Sequence, residues 1–341
     1  MNANILISQF ANSNAEHGGV HRHKQIISDL RKLGPLTVFA LAPSFSLFFQ
    51  YFFRHPIGFA WVFLQVIIQG LRTKMAVVRL LKSLIICVPS ILTVQTRHEK
   101  RNTQIYFETS ADFSLLTCLV LQQSGWKVVT FPHNIEFLIG RSDWTSINPS
   151  TYVLECLVYS KSSEVRCISK LDQYLVAILG SPSTFYPYRP VEEVESFYKE
   201  IALKRERQNP SKRKIVLILG SVINIPSFLG MQKLLEQIAE SSTSECEYVV
   251  VGNGTERFSD YSIQNIKIAG SVSNEILKKY LVECSCVLIY QIATTGILTR
   301  VVNLKLARIP VLINSSYYQA RELKAAGVKV YSSFSEALIP Q

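Results

Sequence analysis

Apolar runs of five to eight residues alternate along the chain with stretches whose apolar positions recur every three or four residues. The runs read as strands and the stretches as amphipathic helices. In the first half the strands are NILISQF from Asn4, TVFALAP from Thr37, QIYFET from Gln104, WKVVTFP from Trp126 and VRCIS from Val165. Helical patterns such as VHRHKQIISDLRKL and SADFSLLTCLVLQQSG separate them. From Tyr186 the pattern pauses in a polar, proline-bearing stretch with dense charge of both signs. It restarts with KIVLILGS at Lys214 and continues through EYVVVGNG, IKIAGSV, CVLIYQI and IPVLINSS, again with helical patterns between. Strand–helix alternation of this kind predicts doubly wound α/β halves. The expected domains are 1–186 and 214–341, joined by an exposed connection over 187–213.

Charge modifies this picture because it is uneven. Lys and Arg number 36 against 25 Asp and Glu, a formal net charge of +11. From Leu30 to His98 no acidic residue occurs, while Lys and Arg stand at 31, 32, 54, 72, 74, 79, 82 and 97. The same region holds the aromatic run FSLFFQYFFRHPIGFAWVFLQ. Residues 41–98 therefore read as an insertion of about two amphipathic helices. Cations such as Arg54, Arg72, Lys74 and Arg79 would lie against anionic lipid and aromatics in the headgroup layer. The uncharged run His55–Leu71 is about long enough for a short membrane span. A pair of core helices is the other reading. Nucleic acid would also suit the net charge, but a stretch this rich in Phe and Leu suits lipid better, so no nucleic-acid partner is expected.

The seven cysteines are scattered, odd in number and without a CxxC pair, as reduced core thiols of a cytosolic protein are. The six histidines lack metal-ligand spacing, and His21 and His23 lie two apart, a poor spacing for one helix face. No metal site is expected. No signal peptide is expected ahead of a strand that begins at residue 4.

Several loops after the strands carry candidate chemistry. Pro132-His133-Asn134 ends the apolar WKVVTFP run. It reads either as a local turn or as a ligand loop at the carboxyl end of a parallel strand. Gly18 and Gly19 precede a helix, where backbone can approach a ligand and free amides meet an anion. The spacing is not GxGxxG, which disfavours a dinucleotide. Gly220 and Ser221 open the loop GSVINIPSFLG, and Gly252 and Gly254 read first as structural turn residues. Thr294, Thr295 and Gly296 precede a helical pattern that carries Arg300 and, three residues on, Asn303. Amides with an arginine at a helix start suit a diphosphate, and Asn303 suits a sugar hydroxyl. A capped core helix with two polar residues explains the same pattern.

Taken in order, the Gly18-Gly19 loop, Pro-His-Asn, VRCISKLDQYL, GSVINIPSFLG, VGNG, IKIAGSVSNEILKKYL and TGILTRVVNLKLARIPVLI resemble glycosyltransferases of the GT-B fold, family 4 type. The resemblance runs from NILIS to SSFSEAL. It implies two Rossmann-like domains facing each other across a cleft, with an acceptor-side domain first and a nucleotide-sugar domain second. It implies a retaining hexosyltransferase that uses a nucleoside-diphosphate sugar without a bound metal or other cofactor. Gly19 would approach the donor phosphate and His133 a donor sugar hydroxyl. The loop at Ser271 and Val272 would hold the base, and the Gly296 and Ile297 amides the phosphate.

Asn303 stands where the family usually has Glu, and no Arg or Lys occurs between Ser221 and Pro226. Arg300 is thus the expected cation for the leaving group. The chain ends at Gln341, short of the helix with which typical members cross back to the first domain, and a shortened or different closure is expected. The leading expectation is a peripheral membrane enzyme of the cytoplasmic face, active in polysaccharide biosynthesis on a lipid-linked or saccharide acceptor. The alternatives are a non-catalytic GT-B subunit that binds a partner transferase or the membrane, and a GT-B sugar-nucleotide epimerase.

Overall fold

The structure, a computed structural model, describes residues 3–13, 18–139, 149–207, 214–222, 225–241, 246–261, 265–292, 295–334 and 336. It divides into two compact units. Of the described residues, the first comprises those up to Arg189 together with Thr295–Ile297, and the second those from Pro190 to Ile292 and from Leu298 onward.

In the first unit, β1 (Ala3–Ser8), α1 (Gly18–Arg31) and β2 (Leu36–Ala40) are followed by three helices, α2 (Phe45–Arg54), α3 (Pro56–Arg72) and α4 (Val77–Arg97). Then come β3 (Thr103–Thr109), α5 (Asp112–Gln123), β4 (Val128–Pro132), α6 (Pro149–Lys161), β5 (Glu164–Cys167), α7 (Lys170–Ile178) and the three-residue β6 (Ser183–Phe185). All neighbouring strands pair parallel, in the order β2-β1-β3-β4-β5-β6. Helices cover both faces because the central strands are apolar on both. On one face Ile5, Ile7, Ile105 and Phe107 pack with α3 to α6; on the other Leu6, Tyr106 and Phe131 meet Ile26 and Leu30 of α1.

The basic aromatic insertion forms three helices rather than two. Pro56 starts α3 immediately after α2, where its fixed φ suits a first helical position. Lys74, in the left-handed region at φ 54°, turns the chain toward α4. One face of these helices supplies Tyr51, Phe59, Val62 and Val66 to the core. The other leaves Phe53 75 % and Ile57 85 % exposed. Twelve of the 21 exposed large apolar side chains among the described residues fall between Phe45 and Leu81, so the exposure is concentrated in this insertion. Arg54, Arg72 and Lys74 are exposed in the same region, whereas Arg79 reaches Asp112 at 3.0 Å. By length and composition α4 alone among the described helices is apolar enough to cross a membrane, and half of that window is buried within the fold.

The second unit begins with α8 (Glu192–Arg207), in the stretch expected as an exposed connection. Val194, Tyr198 and Ile201 recur on one face of α8 and enter this unit's core, while Glu195–Lys199 and Glu200–Lys204 pair at i,i+4 on the solvent side. Residues 208–213 of that stretch lie outside the described residues. Next come β7 (Lys214–Leu219), α9 (Ile225–Glu240), β8 (Cys246–Val251), β9 (Ile266–Gly270), α10 (Asn274–Glu283), β10 (Cys286–Ile289), α11 (Thr299–Leu306), β11 (Val311–Asn314), α12 (Ala320–Ala325) and β12 (Lys329–Tyr331). The sheet is again wholly parallel, in the order β12-β11-β10-β7-β8-β9. Helices α8, α10 and α11 pack on one face and α9 on the other.

Candidate active site

Each sheet reverses its winding direction once, between β1 and β3 in the first unit and between β7 and β10 in the second. Open α/β sheets bind ligands outside the carboxyl ends of their strands at such a point. In each unit a set of polar side chains lies near that unit's own switch point.

In the first unit they gather on Glu108, the penultimate residue of β3, which is fully buried. Its Oε2 lies 2.6 Å from Nδ1 of His23, on α1, and its Oε1 lies 3.1 Å from Nε2 of His133, which follows β4. Both histidines are buried, and the ring of Phe10 lies 4.6 Å from that of His133. Burial opposes the charge on Glu108, but the two histidine hydrogen bonds outweigh it and hold the carboxyl at about 2. Gly18 and Gly19 form the first turn of α1 rather than preceding it; residues 14–17 of that loop lie outside the described residues.

The chain beyond His133 is tied from beneath by Glu155 of α6. Its carboxylate accepts from the backbone amides of Glu136 and Phe137, at 2.9 and 2.8 Å, and from the Tyr159 hydroxyl at 2.7 Å. Burial pushes the Glu155 carboxyl up to about 7 against these donors.

Thr295–Ile297 belong with this loop. Thr295 Oγ1 accepts from the Ile135 amide at 2.8 Å, and the Asn134 carboxamide sits 2.9 Å from the His133 carbonyl and 3.2 Å from that of Thr295. The Gly296 amide, expected to meet a phosphate, donates to Asp172 Oδ1 at 3.3 Å. Ile297 is half-buried, and α11 starts only at Thr299. Thr294 lies outside the described residues.

In the second unit the site forms around Arg300, the second residue of α11. Its Nη2 donates to Gln291 Oε1 at 3.0 Å. Asn314 holds Gln291 in turn, accepting from its amide at 2.7 Å and donating to its carbonyl at 3.0 Å. The backbone of Gly220 lies flush against the guanidinium, since a Cβ there would fall 2.6 Å from Arg300 Nη1. Burial lowers the Arg300 pKa to about 10, which leaves it a cation at neutral pH. Its Nε is buried without a hydrogen-bond partner, and no carboxylate among the described residues pairs with it. Ser221 Oγ, one residue beyond Gly220, is also buried and unpartnered.

Other expected donor contacts are placed differently. Asn303 is 1 % exposed within α11. Ser271 is exposed and its amide donates to Glu256 Oε1 at 2.7 Å, while Val272 is half-buried. Ile223 and Asn224 of the Gly220 loop lie outside the described residues. Sequence reasoning missed Glu108, His23, Gln291 and Asn314. The signal for Glu108 was present, as it is the one acid in the apolar runs of the first half.

Solved structures similar to the chain include sucrose-phosphate synthase from Thermosynechococcus elongatus, at TM-score 0.60 and 12 % identity, with 94 % of this chain and 82 % of that one covered. HepE of Anabaena in complex with UDP-glucose matches at TM-score 0.59 and 13 % identity, over 96 % and 85 %. The lipopolysaccharide outer core galactosyltransferase WaaB matches at 0.56 and 11 %, over 98 % and 88 %. The chain has the GT-B fold. No protein-family model matches the sequence, and no curated protein matches it. In the GT-B frame, the His133 loop belongs to the first Rossmann-like unit and Arg300 to the second.

Proposed function

We propose that this GT-B protein is a glycosyltransferase that moves a sugar from a nucleoside-diphosphate sugar to a lipid-linked or polysaccharide acceptor at a membrane surface. The observation that carries this reading is the cation at the β7/β10 switch point, which no described carboxylate pairs. A charge drawn partly out of water without a counter-charge is costly, and half-buried Arg300, bonded only to the neutral Gln291, keeps one beside an unpartnered Ser221 hydroxyl and the bare backbone of Gly220. A diphosphate supplies the missing charge and acceptors. Its oxygens become more negative as the glycosidic bond breaks, so a preorganised guanidinium stabilises the transition state more than the ground state. A nucleotide-sugar ligand of HepE, on the same fold, supports the same choice.

His133 would take a sugar hydroxyl in the first unit. Retention of configuration and independence from metal follow the resemblance to the retaining family. Thermal unfolding with a panel of nucleotides and nucleotide sugars tests the donor site. Binding to the folded state alone stabilises by about 2.7 kcal/mol at 100 times Kd, so one nucleotide family should raise the unfolding temperature by several degrees. No shift with any of them would favour a non-catalytic subunit.

The acceptor side rests on the insertion, where exposed aromatics and the cations Arg54, Arg72 and Lys74 share a region without acids. This combination suits insertion into the headgroups of an anionic leaflet, at roughly 1 kcal/mol per cation. On this reading the protein works peripherally, at the cytoplasmic face. Replacing Arg72 and Lys74 together by Glu should weaken binding to anionic vesicles by at least roughly tenfold. Unchanged co-sedimentation would remove the membrane from the proposal.

A further inference from the structure

Glu108 is the fully buried acid of the first switch point, and neither a donor contact nor a packing role accounts for it. Its two carboxylate oxygens each meet one histidine nitrogen, at 2.6 and 3.1 Å, and a carboxylate can only accept. A ring nitrogen that meets it must therefore carry a proton. The nitrogens facing it are Nδ1 of His23 and Nε2 of His133. The opposite nitrogens, Nε2 of His23 and Nδ1 of His133, make no hydrogen bond to any described residue. The Phe10 ring against His133 restricts the other freedom of that side chain, rotation of its plane.

From this geometry we infer that Glu108 is a positioning residue that clamps His23 and His133 together and fixes their tautomers, so that His133 presents a bare Nδ1 as an acceptor. The tautomer of a histidine is set by the hydrogen bond its other nitrogen makes, and here one anion sets two. His133 Nδ1 would then accept from a sugar hydroxyl rather than donate to a sugar oxygen. His23 offers Nε2 as a second bare acceptor. The clamp also joins α1 to the loop after β4, two segments 110 positions apart in the chain (His23 and His133), through a single side chain. The inference about the sugar rests on the transferase reading; the clamp and the tautomers do not.

Imidazole nitrogen NMR on the full chain, with histidine labelled and its signals assigned by single His→Ala variants, tests it directly. At neutral pH the wild type should show His133 protonated on Nε2 and bare on Nδ1, and His23 the reverse. In Glu108→Gln the carboxamide offers one acceptor and one donor, so one ring must change tautomer. Turnover of a nucleotide sugar should fall about 10- to 100-fold, the usual cost of losing a group that orients a functional histidine. Donor affinity should change less than about threefold, and Glu108→Asp, which keeps the anion, should recover part of the loss. A wild-type His133 protonated on Nδ1 would overturn the inference, as would a Glu108→Gln spectrum with both tautomers unchanged. If Glu108→Gln does not fold, the wild-type spectrum decides alone. The expected tautomers in a protein with no sugar-nucleotide turnover would leave the clamp standing and remove the transferase reading.

Discussion

Replacing Arg300 by Met is expected to abolish most transfer while leaving the protein as stable as the wild type, or more so. The guanidinium lacks a carboxylate partner among the described residues, and its Nε is enclosed and unsatisfied. Such a group costs folding free energy, and an apolar side chain of similar volume removes that cost. Its contribution should appear only when a diphosphate departs. Loss of one preorganised donor to a developing oxyanion typically lowers kcat by roughly 10²- to 10³-fold, or about 3 to 4 kcal/mol. Arg300→Lys should restore part of the rate, because an ammonium keeps the charge but not the planar fork that meets Gln291 and a phosphate together. The check is paired: kcat with the nucleotide sugar that gives the thermal shift, and the unfolding temperature of each variant without ligand. A variant that is less stable and retains turnover within about threefold would make Arg300 a structural residue, and the leaving group would need another cation.

Much of this arrangement was legible in the sequence, for identifiable reasons. Parallel strands buried on both faces leave continuous apolar runs, and every run named in the first half became a strand of one sheet. His133 could be singled out because it is a polar residue just beyond an apolar run, where sheet ligands bind, and Arg300 because it is a cation at a helix start after a Thr-Thr-Gly loop. Glu108 was hidden by the opposite circumstance. It ends QIYFET, where an acid looks like the polar exit of a strand, and only the fold brings His23 and His133 to it from 85 and 25 residues away. Gln291 and Asn314 escaped notice because amides after strands are common, and their mutual bonds join separate βα units. Residues 192–207 were read as a connection because their charges are dense. The apolar positions Val194, Tyr198 and Ile201 carried the helical period through those charges. In the insertion, pattern gave amphipathic helices correctly but not their number, since Pro56 divides α2 from α3 without a polar break.

Gly252 should prove the least replaceable of the glycines in the second unit, and for a reason of packing as much as of backbone freedom. It follows β8 at φ 151°, and its amide donates to the Gly270 carbonyl at 2.9 Å, so it sits where the loops after β8 and β9 meet. A Cβ there would fall 2.0 Å from the Gly220 carbonyl oxygen and 2.5 Å from its carbon. Both are backbone atoms, which cannot swing aside as a side chain would. Gly252→Ala must therefore displace the Gly220 loop, and that loop is the surface on which Arg300 lies. Overpacking of this kind typically costs roughly 1 to 3 kcal/mol, to which the backbone strain adds. Each kcal/mol corresponds to about 2 to 4 °C in a domain of this size, so the unfolding temperature should fall by several degrees. Gly327 supplies the control, with φ 85° but nothing within 4 Å of the point a Cβ would occupy. Gly327→Ala bears the strain without the collision and should lose clearly less. Equal losses in the two variants would mean that strain alone matters at Gly252. A larger loss at Gly252, accompanied by weaker nucleotide binding, would tie the turn after β8 to the donor site through the Gly220 backbone.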